Sequence, residues 1–104
     1  MPGIDYSRVR EIVTISQVLD LVGFRAVETQ GDQVRGPCPI HRSSNPESRS
    51  FSANLEKNLY RCFSCGATGN SLDLWTAVSG QPLHAATKEL CERLGIEVPL
   101  VHRW

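Results

Sequence analysis

The stretches that decide the fold are CPIH at residues 38–41 and CFSC at residues 62–65. Each holds two metal-ligand residues with two residues between them, and residues 42–61 separate the two pairs. Two-residue spacing lets a tight turn aim both side chains at one ion, and the long spacer lets a β-hairpin bring the second pair opposite the first. The pattern predicts a tetrahedral metal site with the ligands Cys38, His41, Cys62 and Cys65.

The chemistry of these ligands favours zinc. Thiolate sulfur combined with imidazole nitrogen suits Zn²⁺, and four protein ligands leave no open coordination position. We therefore expect one zinc ion with a structural role. Gly66 fits this interpretation because the chain has to turn sharply after Cys65. The alternatives are buried free thiols beside a surface histidine, or an iron–sulfur cluster.

Chain length and cysteine use agree with a metal site. The 104 residues suit one domain, 1–104, and small domains often need a metal for stability. The N-terminal residues have neither a basic flank nor an apolar segment, so no secretory signal is indicated. No apolar run approaches the roughly 18 to 20 residues of a membrane span. We expect a cytoplasmic protein with reduced thiols and no membrane contact, and in such proteins paired cysteines usually bind metal.

Positive charge is concentrated around the cysteines. The whole chain has a net charge of zero and a pI of about 6.8. Residues 34–65, however, carry five basic and two acidic side chains, a local net charge of +3. Such segregation favours an anionic partner, although a simple solvated face is the alternative. The basic residues are Arg35, Arg42, Arg49, Lys57 and Arg61.

Helix signals flank the cysteine segment and predict an α+β fold. Asp5 is suited to cap a first short helix, and Thr14 with Gln17 forms a capping box for a second that ends at Gly23. Asn70 with Asp73 begins another helix, which runs to Gly80. We expect helices over about 5–22, 71–79 and 82–94. In the last helix, one apolar face is predicted to be core, and Cys91 is predicted to be a buried thiol outside the metal site. That face comprises Leu83, Ala86, Leu90 and Leu94.

Strand signals lie between these helices. Residues 24–30 and 33–36 are predicted to pair around a turn at 31–32, and residues 50–55 and 59–63 form a second predicted hairpin. Residues 66–70 are predicted to be a loop. We therefore expect an α+β fold in which a small antiparallel sheet with structural zinc, at about 33–66, is flanked by short helices.

Together, these motifs resemble the N-terminal Cys-His-Cys-Cys zinc domain of bacterial and phage DNA primases. The resemblance rests on GPCPIH at residues 36–41, SFS at 50–52 and YRCFSCGATGN at 60–70. It extends over residues 12–23 and 90–99, so it covers nearly the whole chain. The resemblance implies a zinc ribbon that helps choose the template site where a primase begins an RNA primer.

The residues permit this role in nucleic-acid binding. Aromatic rings among basic side chains are a typical arrangement for binding single-stranded nucleic acid. Phe51, Tyr60 and Phe63 are the candidate rings, and in the alternative both phenylalanines are core and Tyr60 alone is available. Arg35 and Arg61 have a second interpretation, in which they stabilise the zinc-bound sulfurs. The predicted nucleic-acid contacts are Arg35, Arg42, Arg49, Lys57, Tyr60 and Arg61.

The predicted partner is single-stranded DNA, with a primase catalytic domain or a replicative helicase as further candidates. The carboxylate-bearing catalytic domain of primases does not fit into this length, so we expect no catalysis by the chain alone. It is interpreted as a fragment of a longer primase or as a free-standing module, for example in a mobile element. The competing hypothesis is a zinc-stabilised protein-interaction module that docks through Trp75 or Trp104. An independent metalloenzyme would need an open coordination site and a base, and neither is apparent.

Overall fold

A computed structural model of the chain describes residues 3–40, 45 and 47–101. Within these residues the chain forms four helices and a five-stranded sheet. The helices are α1 (Tyr6–Ile12), α2 (Ile15–Leu21), α3 (Ser71–Ser79) and α4 (Leu83–Leu94). The strands are β1 (Glu28–Gln30), β2 (Gln33–Gly36), β3 (Phe51–Asn54), β4 (Leu59–Cys62) and β5 (Thr68–Asn70).

The strands lie in the order β1-β2-β3-β4-β5, and every neighbouring pair is antiparallel. The register places Val34, Ala53 and Tyr60 side by side on one face of the sheet. All three are buried. Since side chains alternate between the two faces of a strand, the residues between them point the other way and form the second face.

The buried face of the sheet packs against the helices to form the core. Phe51 is its largest fully buried side chain, and its ring contacts those of Phe24 and Tyr60, with centroids 5.2 and 5.5 Å away. The helices supply aliphatic side chains with little or no exposure to the same cluster. Prominent among them are Val9, Ile15, Val18, Leu72, Leu74 and Leu90. The fold is therefore α+β, as the sequence predicts.

The predicted helix caps are present in the structure. Asp5 accepts a hydrogen bond from the backbone N–H of Arg8, and Thr14 forms the expected capping box with Gln17. Asn70 and Asp73 form a second capping box at α3. Each box satisfies backbone donors that helix ends leave without partners, so these signals act locally and can be identified without the tertiary structure. None of the helices in the described residues is long and apolar enough to cross a membrane.

Three details of the fold differ from the sequence predictions. The first strand is shorter than predicted and spans Glu28–Gln30. Thr68–Asn70, predicted as part of a loop, pairs with β4 as a fifth strand. This strand has no apolar alternation and contains Gly69, so the usual strand signals are missing. Leu83 was predicted as core but is 43% exposed, because it lies in the first turn of α4, beyond the part of the helix that packs inward.

Asn58 links the second hairpin to helix α2. It has a positive φ of 55° in the turn between β3 and β4, and its Oδ1 accepts a hydrogen bond from the N–H of Ile15 at 3.0 Å. Asn tolerates the left-handed conformation better than most residues with a Cβ. One residue thus supplies the left-handed conformation of the turn and, through its side chain, satisfies the first N–H of α2.

Replacement of Asn58 should separate these two contributions. Asn58→Gly keeps the left-handed conformation but loses the bond to Ile15, and we expect a loss of about 1 kcal/mol. Asn58→Ala also loses conformational tolerance and should cost about 1 to 2 kcal/mol more. Urea denaturation of both zinc-loaded variants measures the difference. Equal stabilities would show that backbone strain at this position contributes nothing.

Candidate metal centre and open face of the sheet

Three cysteines meet at one end of the sheet. Cys38 follows β2 by two residues, Cys62 is the last residue of β4, and Cys65 lies three residues further on. Their sulfur atoms all lie within 4.8 Å of one another, with Cys38 and Cys62 buried and Cys65 exposed. Zinc–sulfur bonds of about 2.3 Å in a tetrahedron put sulfurs about 3.8 Å apart. The spacing of these three thiols therefore fits one zinc ion.

Backbone hydrogen bonds shape the turn that holds Cys62 and Cys65. The N–H of Gly66 donates to the carbonyl of Cys62 at 2.9 Å, and the N–H of Cys62 donates to the carbonyl of Ala67 at 2.8 Å. Gly66 has a φ of 77°, as expected from its place after Cys65. A glycine adopts this conformation without steric cost, so the chain reverses directly after the last cysteine.

The same turn makes Cys62 a better metal ligand. Burial acts to raise the pKa of its thiol, but hydrogen bonds from the backbone N–H groups of Cys65 and Ser64 act the other way, and the pKa is lowered overall. The N–H of Cys65 lies 3.4 Å from the Cys62 sulfur. Zinc binds the thiolate, so donors aimed at the sulfur favour the form that coordinates.

Cys91 is separate from this cluster. It lies in α4 with 0% exposure and belongs to the hydrophobic core. Burial raises the pKa of its thiol. A neutral buried thiol acts as a small apolar side chain, which agrees with the sequence prediction for this residue.

Two predicted site residues, His41 and Arg42, lie outside the residues that the structure describes. His41 as the fourth ligand and Arg42 as a nucleic-acid contact therefore remain predictions. The other three predicted zinc ligands are the ones that the structure brings together.

The face of the sheet away from the helices forms a second candidate site. We call it the open face. It carries polar side chains from the central strands together with two exposed apolar side chains, Leu59 at 49% and Phe63 at 59% exposure. The open face consists of Gln33, Arg35, Ser52, Asn54, Leu59, Arg61, Phe63 and Thr68.

Two arginines of the open face lie over the ring of Phe63. The guanidinium carbons of Arg35 and Arg61 are 5.5 and 5.0 Å from the centroid of that ring. The two arginines flank Ser52 in one row across β2, β3 and β4. Arg35 also donates a hydrogen bond to the backbone carbonyl of Arg49 at 2.9 Å. These contacts hold two positive charges beside an exposed aromatic ring.

Of the other predicted nucleic-acid contacts, two are exposed and one is buried in the core. Arg49 is exposed and lies 3.9 Å from Glu28, which reduces its net charge contribution to the surface. Lys57 is exposed in the turn between β3 and β4, at the end of the sheet away from the cysteines. Tyr60 is only 4% exposed, since its ring stacks on Phe51 in the core. Burial, followed by the charges of Asp73, Cys38 and Cys65, raises the pKa of Tyr60 to about 12.

The exposed aromatic side chain of the site is therefore Phe63. Its exposure follows from the alternation of side chains along β4, because the buried Cys62 lies in the cysteine cluster on the covered side and Tyr60 shares that side. Leu59, Arg61 and Phe63 then point outward. The same alternation assigns Gln33 and Asn54, which sequence reasoning did not single out, to the open face. Of the two candidates for protein docking, Trp75 is only 6% exposed, and Trp104 lies outside the described residues.

A small antiparallel sheet with a cluster of cysteines at its end defines a zinc ribbon. The chain belongs to the CHC2 zinc finger family, whose model matches residues 4–103. The cysteine cluster and this membership together identify the chain as zinc-binding.

Similar proteins are DNA primases. The DNA primase of Geobacillus stearothermophilus is 33% identical over 82 residues, which is 78% of this chain and 13% of that protein. The DNA primase of Escherichia coli strain K12 is 30% identical over 92 residues, 88% of this chain and 15% of that protein. The chain thus corresponds to 13 to 15% of the length of these relatives.

A solved structure agrees with this family. The primase of Aquifex aeolicus, solved with its zinc-binding and RNA polymerase domains, superposes with a TM-score of 0.72 at 25% identity. The match covers 92% of this chain and 23% of that one. Chain topology and sequence therefore lead to the same family.

Proposed function

We propose that this chain binds single-stranded DNA on the open face of its sheet and helps a DNA primase recognise the template on which an RNA primer begins. The observation that carries the proposal is the exposed ring of Phe63 beside the guanidinium groups of Arg35 and Arg61. Single-strand binders combine stacking surfaces with positive charge that follows the phosphates. The open face has both.

The two kinds of side chain have different tasks in this proposal. An unpaired base stacks on Phe63, a contact worth about 1 to 3 kcal/mol. Arg35 and Arg61 contact the phosphates on either side and fix the position of the strand. Because every base has an aromatic face and every nucleotide a phosphate, these contacts supply affinity without distinguishing sequences.

The metal site supports this surface. We propose that His41 completes the coordination with Cys38, Cys62 and Cys65, as the CPIH spacing predicts. Bound zinc supplies a rigid cross-link between the ends of β2 and β4, the strands that carry Arg35 and Arg61. Four protein ligands leave the ion no catalytic position.

Nucleotidyl transfer is assigned to a catalytic domain beyond these 104 residues, either in the same polypeptide or in a separate chain. The relatives that this chain resembles are several times longer, which supports the assignment. A replicative helicase is a further candidate partner.

Arg61→Ala should weaken binding to single-stranded DNA about tenfold at low salt. The variant removes one phosphate contact, so the slope of log affinity against log salt should also fall by about 0.7. Fluorescence anisotropy of the zinc-loaded chain with a labelled single strand, at two salt concentrations, measures both quantities.

Arg10→Ala is the matched control. It removes the same charge from α1, outside the open face, where Arg10 contacts Ser7. We expect a change of less than twofold. If the native chain bound no single strand at low salt with zinc and fold intact, the proposal would fail, and a protein-docking role would replace it.

A further inference from the structure

We propose that Asn54 and Gln33 read the edge of one unpaired base and so set the sequence preference of the open face. This inference rests on the proposed binding of single-stranded DNA and deepens it. It assigns affinity and selectivity to different parts of the face. The arginines and Phe63 supply affinity, and the two amides discriminate between bases.

The two amides stand side by side. Gln33 on β2 and Asn54 on β3 are direct partners in the sheet register. Side chains of such partners have Cβ atoms about 4.5 to 5.5 Å apart on the same face. Both line a shallow depression of about 300 Å³ that also includes Leu59 and extends to Arg61 and Phe63. Their polar atoms therefore face one common space.

A backbone hydrogen bond fixes which atom the Asn54 amide presents. Asn54 Oδ1 accepts from the backbone N–H of Lys57 at 2.9 Å, and because that N–H can only donate, the orientation of the amide is determined. The Nδ2 donor is left for a ligand, since no described residue accepts from it. Gln33 Nε2 donates to Ser52 Oγ at 2.8 Å, and in this orientation its Oε1 is the atom left as an acceptor.

A donor beside an acceptor matches the edge of a nucleobase. Unpaired bases are recognised through hydrogen bonds on their Watson–Crick edges and through stacking on flat side chains. Leu59, 49% exposed and the partner of Asn54 across the sheet, supplies an apolar surface next to the amides. A base resting on Leu59 presents its edge to Asn54 and Gln33.

The position of this subsite relative to Phe63 suits a short stretch of strand. Leu59 and Phe63 are four residues apart along the chain, which is about 13 Å for an extended segment. Arg61 lies between them on the same face. One base at Leu59 and another at Phe63, with Arg61 beside the backbone between them, places a short stretch of strand along β4.

The test measures preference rather than affinity alone. Binding of the zinc-loaded chain is measured against single strands of about 12 nucleotides that carry every possible central trinucleotide. Asn54→Asp keeps the acceptor for Lys57 and replaces the outward donor with an acceptor. Guanine presents two adjacent donors, so its relative binding at one position should rise about tenfold. Gln33→Met is neutral and should weaken discrimination at that same position.

Lys57→Gln is the control for charge. It changes the net charge by the same amount as Asn54→Asp, at a position three residues away, and should weaken all sequences alike without reordering them. An unchanged ranking in Asn54→Asp and Gln33→Met, or a native chain that binds every trinucleotide equally, would overturn the inference and leave the proposed function standing. A native chain that binds no strand at all would remove the proposed function itself.

Discussion

Replacing Cys62 with alanine is expected to abolish zinc binding and the cooperative unfolding transition of the whole domain. Cys62 is a buried member of the cysteine cluster and the last residue of strand β4. Structural zinc contributes about 10 to 16 kcal/mol of apparent binding free energy in zinc-finger peptides. The total stability of a domain is about 5 to 15 kcal/mol. Loss of the ion should therefore leave too little free energy of folding to keep the chain folded.

Cys91→Ala is the matched control for this prediction. It removes an equally buried thiol that lies in the core and outside the cluster. We expect it to keep one zinc per chain and to lose only about 1 kcal/mol of stability. Zinc content by atomic spectroscopy and thermal unfolding by circular dichroism give both results. A zinc-free Cys62→Ala variant with a native unfolding transition would contradict the assignment of a structural metal.

The features that sequence reasoning predicted well are local ones. The capping boxes at Thr14 and Asn70 each depend on atoms within three residues. The cysteine pair at 62 and 65 likewise meets within one turn. In these cases neighbouring residues determine the geometry almost completely, so the rest of the chain has little opportunity to change it.

The features that could not be predicted from the sequence depend on contacts between distant segments. Strand β5 exists because β4 offers an edge, and its own residues, Thr68 to Asn70, carry little strand preference. Gly69 is required there for packing, since a Cβ would lie 2.6 Å from the side chain of Asp73. Neither fact can be derived from the three residues alone.

The aromatic side chains of the site illustrate a third case. The sequence leaves open which of Phe51, Tyr60 and Phe63 is exposed, whereas strand pairing in the sheet determines the exposure of all three together. Once Cys62 points toward the other two cysteines, alternation directs Tyr60 inward and Phe63 outward. Pairing of Phe51 with Cys62 then puts Phe51 on the covered face as well. The register between strands, which no single segment specifies, decides which ring is available to a ligand.

Phe51→Ala and Phe63→Ala should therefore affect different properties: the first should lower the stability of the domain, and the second should weaken its binding of single-stranded DNA. Phe51 has 0% exposure and contacts two other rings, so its removal leaves a cavity and should cost about 3 to 5 kcal/mol of stability. For a domain of this size the midpoint of thermal unfolding should fall by on the order of 15 °C or more.

Phe63→Ala should leave stability within about 1 kcal/mol of the native value, because the ring is mostly exposed and contributes chiefly its contacts with two arginines. Binding of single-stranded DNA should instead weaken by about 1 to 3 kcal/mol through loss of stacking. Thermal unfolding and anisotropy on both variants separate the two roles. If Phe63→Ala bound DNA as tightly as the native chain, the arginines alone would account for binding, since the exposed ring would then contribute no stacking surface.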